Sequence, residues 1–148
     1  MKKIKILITG ANGDIAYSIF KIIKKSFKNV LIHGAEINDE WSSKLFYDQL
    51  FFLPLANKKE YPGKLHNLIR KNKYDFVIPT NDNELLAIIK SKKLINHQSL
   101  LLLSKNIIKI FSDKYKTSIW MKKNNIPFAK TYNLENNKSF SFPIFVKP

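Results

Sequence analysis

The chain of 148 residues carries 45% apolar side chains, enough to bury the core of one domain. Its lack of cysteine excludes disulfides, thiolate metal sites and cysteine nucleophiles, and no apolar run nears the roughly 20 residues that a membrane-spanning helix needs. The formal charge of +15 is almost wholly lysine, with Arg70 the one arginine, so it reads as solvated surface and AT-rich coding bias; a nucleic-acid partner is disfavoured.

The N-terminal MKKIKILITG imitates a secretory leader, but Lys5 interrupts its apolar run and Gly10 ends it without a cleavage site in reach, so a cytoplasmic location is expected. Lys3 to Thr9 reads as a strand. It passes into Gly10-Ala11-Asn12-Gly13, after which Ile15, Ile19, Ile22 and Ile23 recur at helical spacing. A strand, glycine turn and helix bring backbone N–H groups to the carboxyl edge of a parallel sheet, where an anion can sit. The spacing Gly10, Gly13, Ala16 resembles the short-chain dehydrogenase and epimerase variant of the dinucleotide fingerprint. The other reading of the same glycines is a tight turn with close helix packing. Lys21, Lys24, Lys25 and Lys28 could form a basic patch on or just past this helix.

A second strand over Asn29 to Gly34 ends at Glu36, which stands where a dinucleotide enzyme holds a ribose hydroxyl. A brief helical turn within 37–48 and a third strand, Gln49 to Leu53, follow, with Trp41 and Phe46 expected in the core. Gly63 to Asn72 places Leu65, Leu68 and Ile69 on one helical face. The buried-type strand Tyr74 to Thr80 then runs into Asn81-Asp82-Asn83-Glu84, and a helix is expected over Leu85 to Leu94. Two carboxylates and two amides at the end of a parallel strand make the most polar spot of the fold, where open α/β sheets place ligands. Helix capping by Asn81 or Asp82, with Glu84 in the first turn, explains part of the same pattern.

A fifth strand, Ser99 to Leu103, and a short helix, Lys105 to Phe111, close this part. The alternation gives an α/β fold: a Rossmann-like, three-layer αβα sandwich with a parallel sheet of about five strands. His33, His66 and His97 are scattered without ligand spacing, so no metal is assigned, and no Ser/His/Asp arrangement stands out. Asp113 opens another helix, a turn follows at Asn124 to Pro127, and an apolar strand, Ile144 to Val146, delivers Lys147. These features suggest residues 1–111 as one domain and 112–148 as a linker helix with the first strand of a second, cut-off domain.

The order of these pieces is similar to the front of an ATP-grasp ligase, close to the carbamoyl-phosphate-synthase large-subunit-like branch. The segments that carry the similarity are ILITGANGDIA after residue 5, FYDQLFFLP (46–54), YDFVIPTNDNEL (74–85), SDKYKTSIWMKKNNIPFAKTY (112–132) and FPIFVKP (142–148). The resemblance implies a pre-ATP-grasp domain followed by the beginning of an ATP-grasp lobe, in an ATP-dependent carboxylate–amine ligase that works through an acylphosphate. It places Lys114 and Lys147 at the ATP phosphates, and Asp82 and Glu84, with Asn81, near the substrate side of the cleft. The turn Gly10, Asn12, Gly13 would then belong to a Rossmann unit that binds no NAD.

The resemblance also implies ATP and Mg2+ for a full-length enzyme, a C-terminal ATP-grasp lobe of the same polypeptide as partner, and a small-molecule carboxylate as substrate. The family's glycine-rich loop over the phosphates and its acidic and amide metal ligands have no counterpart in this sequence. The isolated chain is therefore expected to bind no nucleotide tightly and to be inactive. Two alternatives stay open: an NAD(P)-binding domain of an epimerase or reductase, which would rest on Gly10, Gly13 and Glu36, and a basic nucleic-acid-binding module.

Overall fold

The computed structural model describes residues 3–38, 42–133, 135 and 142–146. The chain forms two compact units, Met1–Lys105 and Asn106–Pro148. Among the described residues no helix is long and apolar enough to cross a membrane.

The first unit is built around strand β1, Ile4–Thr9, whose neighbours on the two sides are β2, Val30–Glu36, and β4, Phe76–Ile78. With β3, Gln49–Phe52, the sheet is fully parallel in the order β3-β2-β1-β4. Alternation along β1 explains why an almost continuously apolar run folds as a central strand. Ile6 and Ile8 enter one apolar cluster, with Ala16, Ile19, Phe20 and Ile23, while Leu7 enters the other, with Leu65, Ile69 and Ile88. The first cluster is covered by helix α1, Asp14–Ser26, and the second by α2, Tyr61–Asn72, and α3, Asp82–Lys90. The sandwich is therefore three-layered, as expected.

The elements start and stop for local reasons. Gly13 is the N-cap of α1. Helix α2 has a proline in its first turn, where the missing N–H costs nothing, and ends at Lys73 in the left-handed conformation, φ 52°. Asn81 caps α3, its side chain accepting the Asn83 N–H at 2.8 Å, so this helix begins three residues before the expected Leu85 and ends at Lys90 rather than Leu94.

Several expectations shift. The inward face of α1 is Ala16, Ile19, Phe20 and Ile23, whereas Ile15 and Ile22 are 63% and 64% exposed. These two isoleucines share a heptad-spaced stripe, but it is not the stripe that meets the sheet. The fifth strand shrinks to one parallel bridge, Val77 to Leu100, held by Val77 N–H to Ser99 O at 2.7 Å and Leu101 N–H to Val77 O at 2.9 Å. Leu100 and Leu102 pack inward while Leu101 and Leu103 stay exposed, so the segment alternates without extending the ladder.

Phe46 follows a 3-10 turn, Ser42–Leu45, and is not in the core. It is 40% exposed and sets its ring against Tyr17 at 5.0 Å and Phe20 at 6.3 Å on the flank of α1. Trp41 lies outside the described residues. Two of the four α1-region lysines are engaged locally: Lys21 Nζ lies over the Tyr17 ring, and Lys24 Nζ bonds Asp48 at 3.0 Å.

Helix α4 (Lys105–Phe111) starts at the last residue of the first unit and continues into the second, where α5 (Lys114–Lys123) follows and the Phe111 and Trp120 rings meet edge to face at 5.2 Å. The described residues 144–146 do not form the expected strand. Phe145 and Val146 are 85% and 61% exposed, without the covered face that makes a strand worth forming.

Candidate functional site

In a sheet ordered β3-β2-β1-β4, the chain moves outward from β1 through β2 to β3 and then returns to the other side of β1 for β4. The loops leaving β1 and β4 must therefore diverge, and a crevice opens between them at the carboxyl end of the sheet. A cleft of about 440 Å³ lies there, and all four strand ends contribute to its wall. Gly10, Gly13 and Asp14 follow β1, Glu36 and Ile37 end β2, Leu53 to Ala56 follow β3, and Thr80, Asn81, Asn83 and Glu84 follow β4.

The floor is a hydrogen-bonded network around Glu84, which is only 9% exposed. Thr9, on the Leu7 face of β1, donates its hydroxyl to Glu84 Oε2 at 2.7 Å, and Tyr61 at the start of α2 donates to Oε1 at 2.9 Å. Thr80 Oγ1 donates in turn to the Thr9 carbonyl at 2.7 Å. Burial pushes the Glu84 carboxyl above its ordinary range, and the nearby Glu36 charge adds to this, against the pull of its two hydroxyl donors. Burial and the Glu84 charge likewise drive the Tyr61 phenol upward, so it stays a donor.

The rim is the glycine turn. Gly10 has φ +64°, and a Cβ there would lie 2.7 Å from Thr80 Oγ1 and 3.5 Å from Glu84 Oε2, so this position needs glycine both for its backbone and for the close approach of the β4 loop. Glu36 is held against the turn, with Oε2 accepting the Asn12 N–H at 2.9 Å and Oε1 accepting the Ile37 N–H at 2.8 Å. The Asn12 amide of the turn is thus already taken by a carboxylate. Tyr47 closes the rear of the turn, donating to the Ala11 carbonyl at 3.3 Å, and burial with the Glu36 charge pushes its phenol up to about 12.

Of the residues singled out from sequence, the structure brings Gly10, Gly13, Glu36, Asn81 and Glu84 to one cleft. Asn12 joins through its backbone, while Asp82 is exposed in the first turn of α3 and does not line it. Thr9, Tyr61 and Thr80 escape the sequence reading; only the run of buried-type residues up to Thr9, ending in a hydroxyl beside the glycine turn, could have flagged one of them. Lys114 is exposed at the first position of α5. Asp113 caps that helix, accepting the Lys116 N–H at 3.0 Å, and pairs with Lys116 Nζ at 3.0 Å. Its carboxyl is lowered first by these Lys116 contacts. Lys147 lies outside the described residues. Among the described residues no group of three or more His, Cys, Asp or Glu could hold a metal ion, and the cleft itself offers nucleotide phosphates no cationic side chain.

No protein-family model and no curated protein matches the sequence. Solved structures do resemble the fold. An L-amino acid ligase from Bacillus licheniformis superposes with TM-score 0.63 at 13% identity, over 97% of this chain and 36% of that one. The glycinamide-RNase-transformylase T from Mycobacterium tuberculosis gives 0.61 at 9% identity, over 81% and 35%. The biotin carboxylase domain of the Hydrogenobacter thermophilus 2-oxoglutarate carboxylase, solved with MgADP, ADP and bicarbonate, gives 0.58 at 14% identity, over 86% and 28%. The likeness is one of α/β fold, and the chain spans 28 to 36% of the length of these three proteins.

Proposed function

We propose that the chain is the substrate-side domain of an ATP-dependent carboxylate–amine ligase of the carbamoyl-phosphate-synthase-like kind. The observation that carries this reading is the placement of a buried, hydroxyl-braced carboxylate, Glu84, in the switch-point cleft of a fold shared with ATP-grasp enzymes. In such a ligase, phosphoryl transfer from ATP to a carboxylate gives an acylphosphate and ADP, and attack by an amine expels phosphate and leaves the amide. This cleft does not fit the nucleotide, because its charged lining residues among the described ones are all acidic. ATP, with Mg2+, would belong to a separate ATP-grasp lobe, which is the partner this reading requires. Lys114, together with Lys147, would meet the phosphates there as compact cations.

The dinucleotide alternative is weakened by Glu36. Its carboxylate could serve a ribose hydroxyl, but it is already engaged by the Asn12 amide, and among the described residues the cleft has no cationic side chain for a pyrophosphate.

The test is a pair of measurements on the isolated chain. ADP release from ATP is expected to stay at the buffer background, and titration with NADH is expected to give no binding signal. Micromolar NADH affinity would establish the dinucleotide reading instead, and ATP turnover by the chain alone would contradict its need for a second lobe.

A further inference from the structure

Two histidines that lie far apart in the sequence meet outside the cleft. The His66 ring on α2 and the His97 ring in the segment after α3 stand edge to face, with centroids 6.1 Å apart. Arg70 follows His66 by one helical turn and so shares its face of α2. Lys93 belongs to the same 91–99 segment as His97. The single arginine of the chain thus stands in this group.

The fold places both rings. His66 is partly buried beside Leu65 and Ile69, which belong to the covered face of α2. His97 is set by Ser99: its Nδ1 accepts the Ser99 backbone N–H at 3.4 Å and faces Ser99 Oγ at 3.0 Å. A backbone N–H can only donate, so Nδ1 is the accepting nitrogen and the neutral ring carries its proton on Nε2. Ser99 is 6% exposed and its carbonyl accepts the Val77 N–H of β4 at 2.7 Å, which anchors the arrangement to the sheet. The result is a directed N–H donor in a group with two permanent cations.

The charges of that group act in one direction. Burial holds His66 below its ordinary pKa, and the charges of Arg70, His97 and Lys93 push it the same way. Arg70 acts from its own helix, His97 and Lys93 from the segment after α3, and no carboxylate among the described residues is set against them. A lysine on a flexible stem relieves such repulsion by turning into water, but the two rings are fixed against each other. A small anion would give all four groups a partner at once.

We propose that His66, Arg70, Lys93 and His97 form a binding site for a small tetrahedral oxyanion, either inorganic phosphate or the phosphate end of a phosphomonoester. Arg70 offers its planar fork, Lys93 a point charge and His97 its Nε2–H. The bound anion offsets the repulsion on His66 and favours its protonated form, so affinity rises as pH falls through the titration of that ring. The site is independent of the ligase reading, since none of the four residues lines the cleft.

Titration of the chain with sulfate, phosphate and glycerol phosphate at constant ionic strength, followed by NMR of the imidazole nitrogens, tests it. Sulfate stays dianionic throughout, so its pH profile reports the protein. Saturable shifts of both His66 and His97 are expected, with sulfate affinity rising about fivefold or more from about pH 8 to about pH 5.5. Arg70→Gln and Lys93→Gln, both at exposed positions, are each expected to weaken binding about fivefold or more. Lys25→Gln, on α1 across the sheet, is expected to leave affinity unchanged, and His66→Gln to flatten the pH profile. The inference is overturned if the shifts do not saturate, if Lys25→Gln weakens binding as much as Arg70→Gln, or if His66→Gln keeps the parent's pH profile. Tighter binding of glycerol phosphate than of phosphate assigns the site to a phosphomonoester, and the reverse order assigns it to the free ion.

Discussion

Glu84 and Asp48 are two carboxylates that each tie distant pieces of the first unit together, and their surroundings differ in one respect. Asp48 accepts the Ile32 N–H at 2.7 Å and the Lys24 ammonium at 3.0 Å; burial pulls its carboxyl up, but these partners outweigh that and hold it below its ordinary range. Glu84 is more deeply buried, has only hydroxyl donors, and is shifted upward. A carboxylate kept for structure comes with its compensating cation. Glu84, with only hydroxyl donors among the described residues, keeps an uncompensated burial cost.

The sharpest break of this comparison is Glu84→Ala. It would strand the Thr9 and Tyr61 hydroxyls in the core and is expected to cost about 3 kcal/mol in denaturant unfolding, since each buried unpaired group costs about 1–3 kcal/mol. A loss under about 1 kcal/mol would show that the network does not matter to the fold. Next comes Gly10→Ala, expected to cost about 2 kcal/mol, because a left-handed backbone at a non-glycine residue is strained and Thr80 Oγ1 cannot swing away without losing its bond to the Thr9 carbonyl. Asp48→Ala, which leaves the Ile32 N–H without its acceptor, should cost about 1 kcal/mol. Lys24→Ala should change stability by less than about 0.5 kcal/mol, because its ion pair with Asp48 is solvent-screened.

Acidity separates the two carboxylates by sign. The raised folded pKa of Glu84 means that the fold holds its proton more tightly than the unfolded chain does. Its favourable contribution is complete below the ordinary value of 4.5 and is lost as pH rises through the raised folded value. Asp48, being depressed, stabilises the fold above its ordinary 3.8, and that contribution disappears as pH falls through its folded value. Thermal melts of Glu84→Gln and Asp48→Asn across acid pH are therefore expected to shift against the parent with opposite pH dependence: the first gains on it as pH rises above 4.5, and the second gains on it, converging, as pH falls below 3.8. Parallel curves for the two variants would dissolve the contrast.

Much of the scaffold was legible in the sequence because the signals are local. The KIKILIT run, the glycine turn and the Asn81 cap each act within a few residues, and each element formed close to its expected place. Failures came where two local patterns competed. In α1, both the Ile15–Ile22 stripe and the Ala16–Ile23 stripe have helical spacing, and only the sheet decides which is covered. At Leu100 to Leu103 the apolar content suits a strand, but the ladder is limited to the hydrogen bonds that Val77 makes.

By itself, then, the sequence determined the order of elements, the parallel sheet, the absence of thiol chemistry and the neighbourhood of the site, because hydrophobic period, turn residues and caps act over short spans. Tertiary structure alone decided what that neighbourhood is. Thr9 and Glu84 meet across 75 positions, Tyr61 and Glu84 across 23, and Glu36 closes on the Asn12 amide across 24. No local pattern encodes those distances. The folded sheet gathers Asp14, Glu36 and Glu84 from separate segments of the first unit into one crevice, and that grouping exists only once the strands are in register.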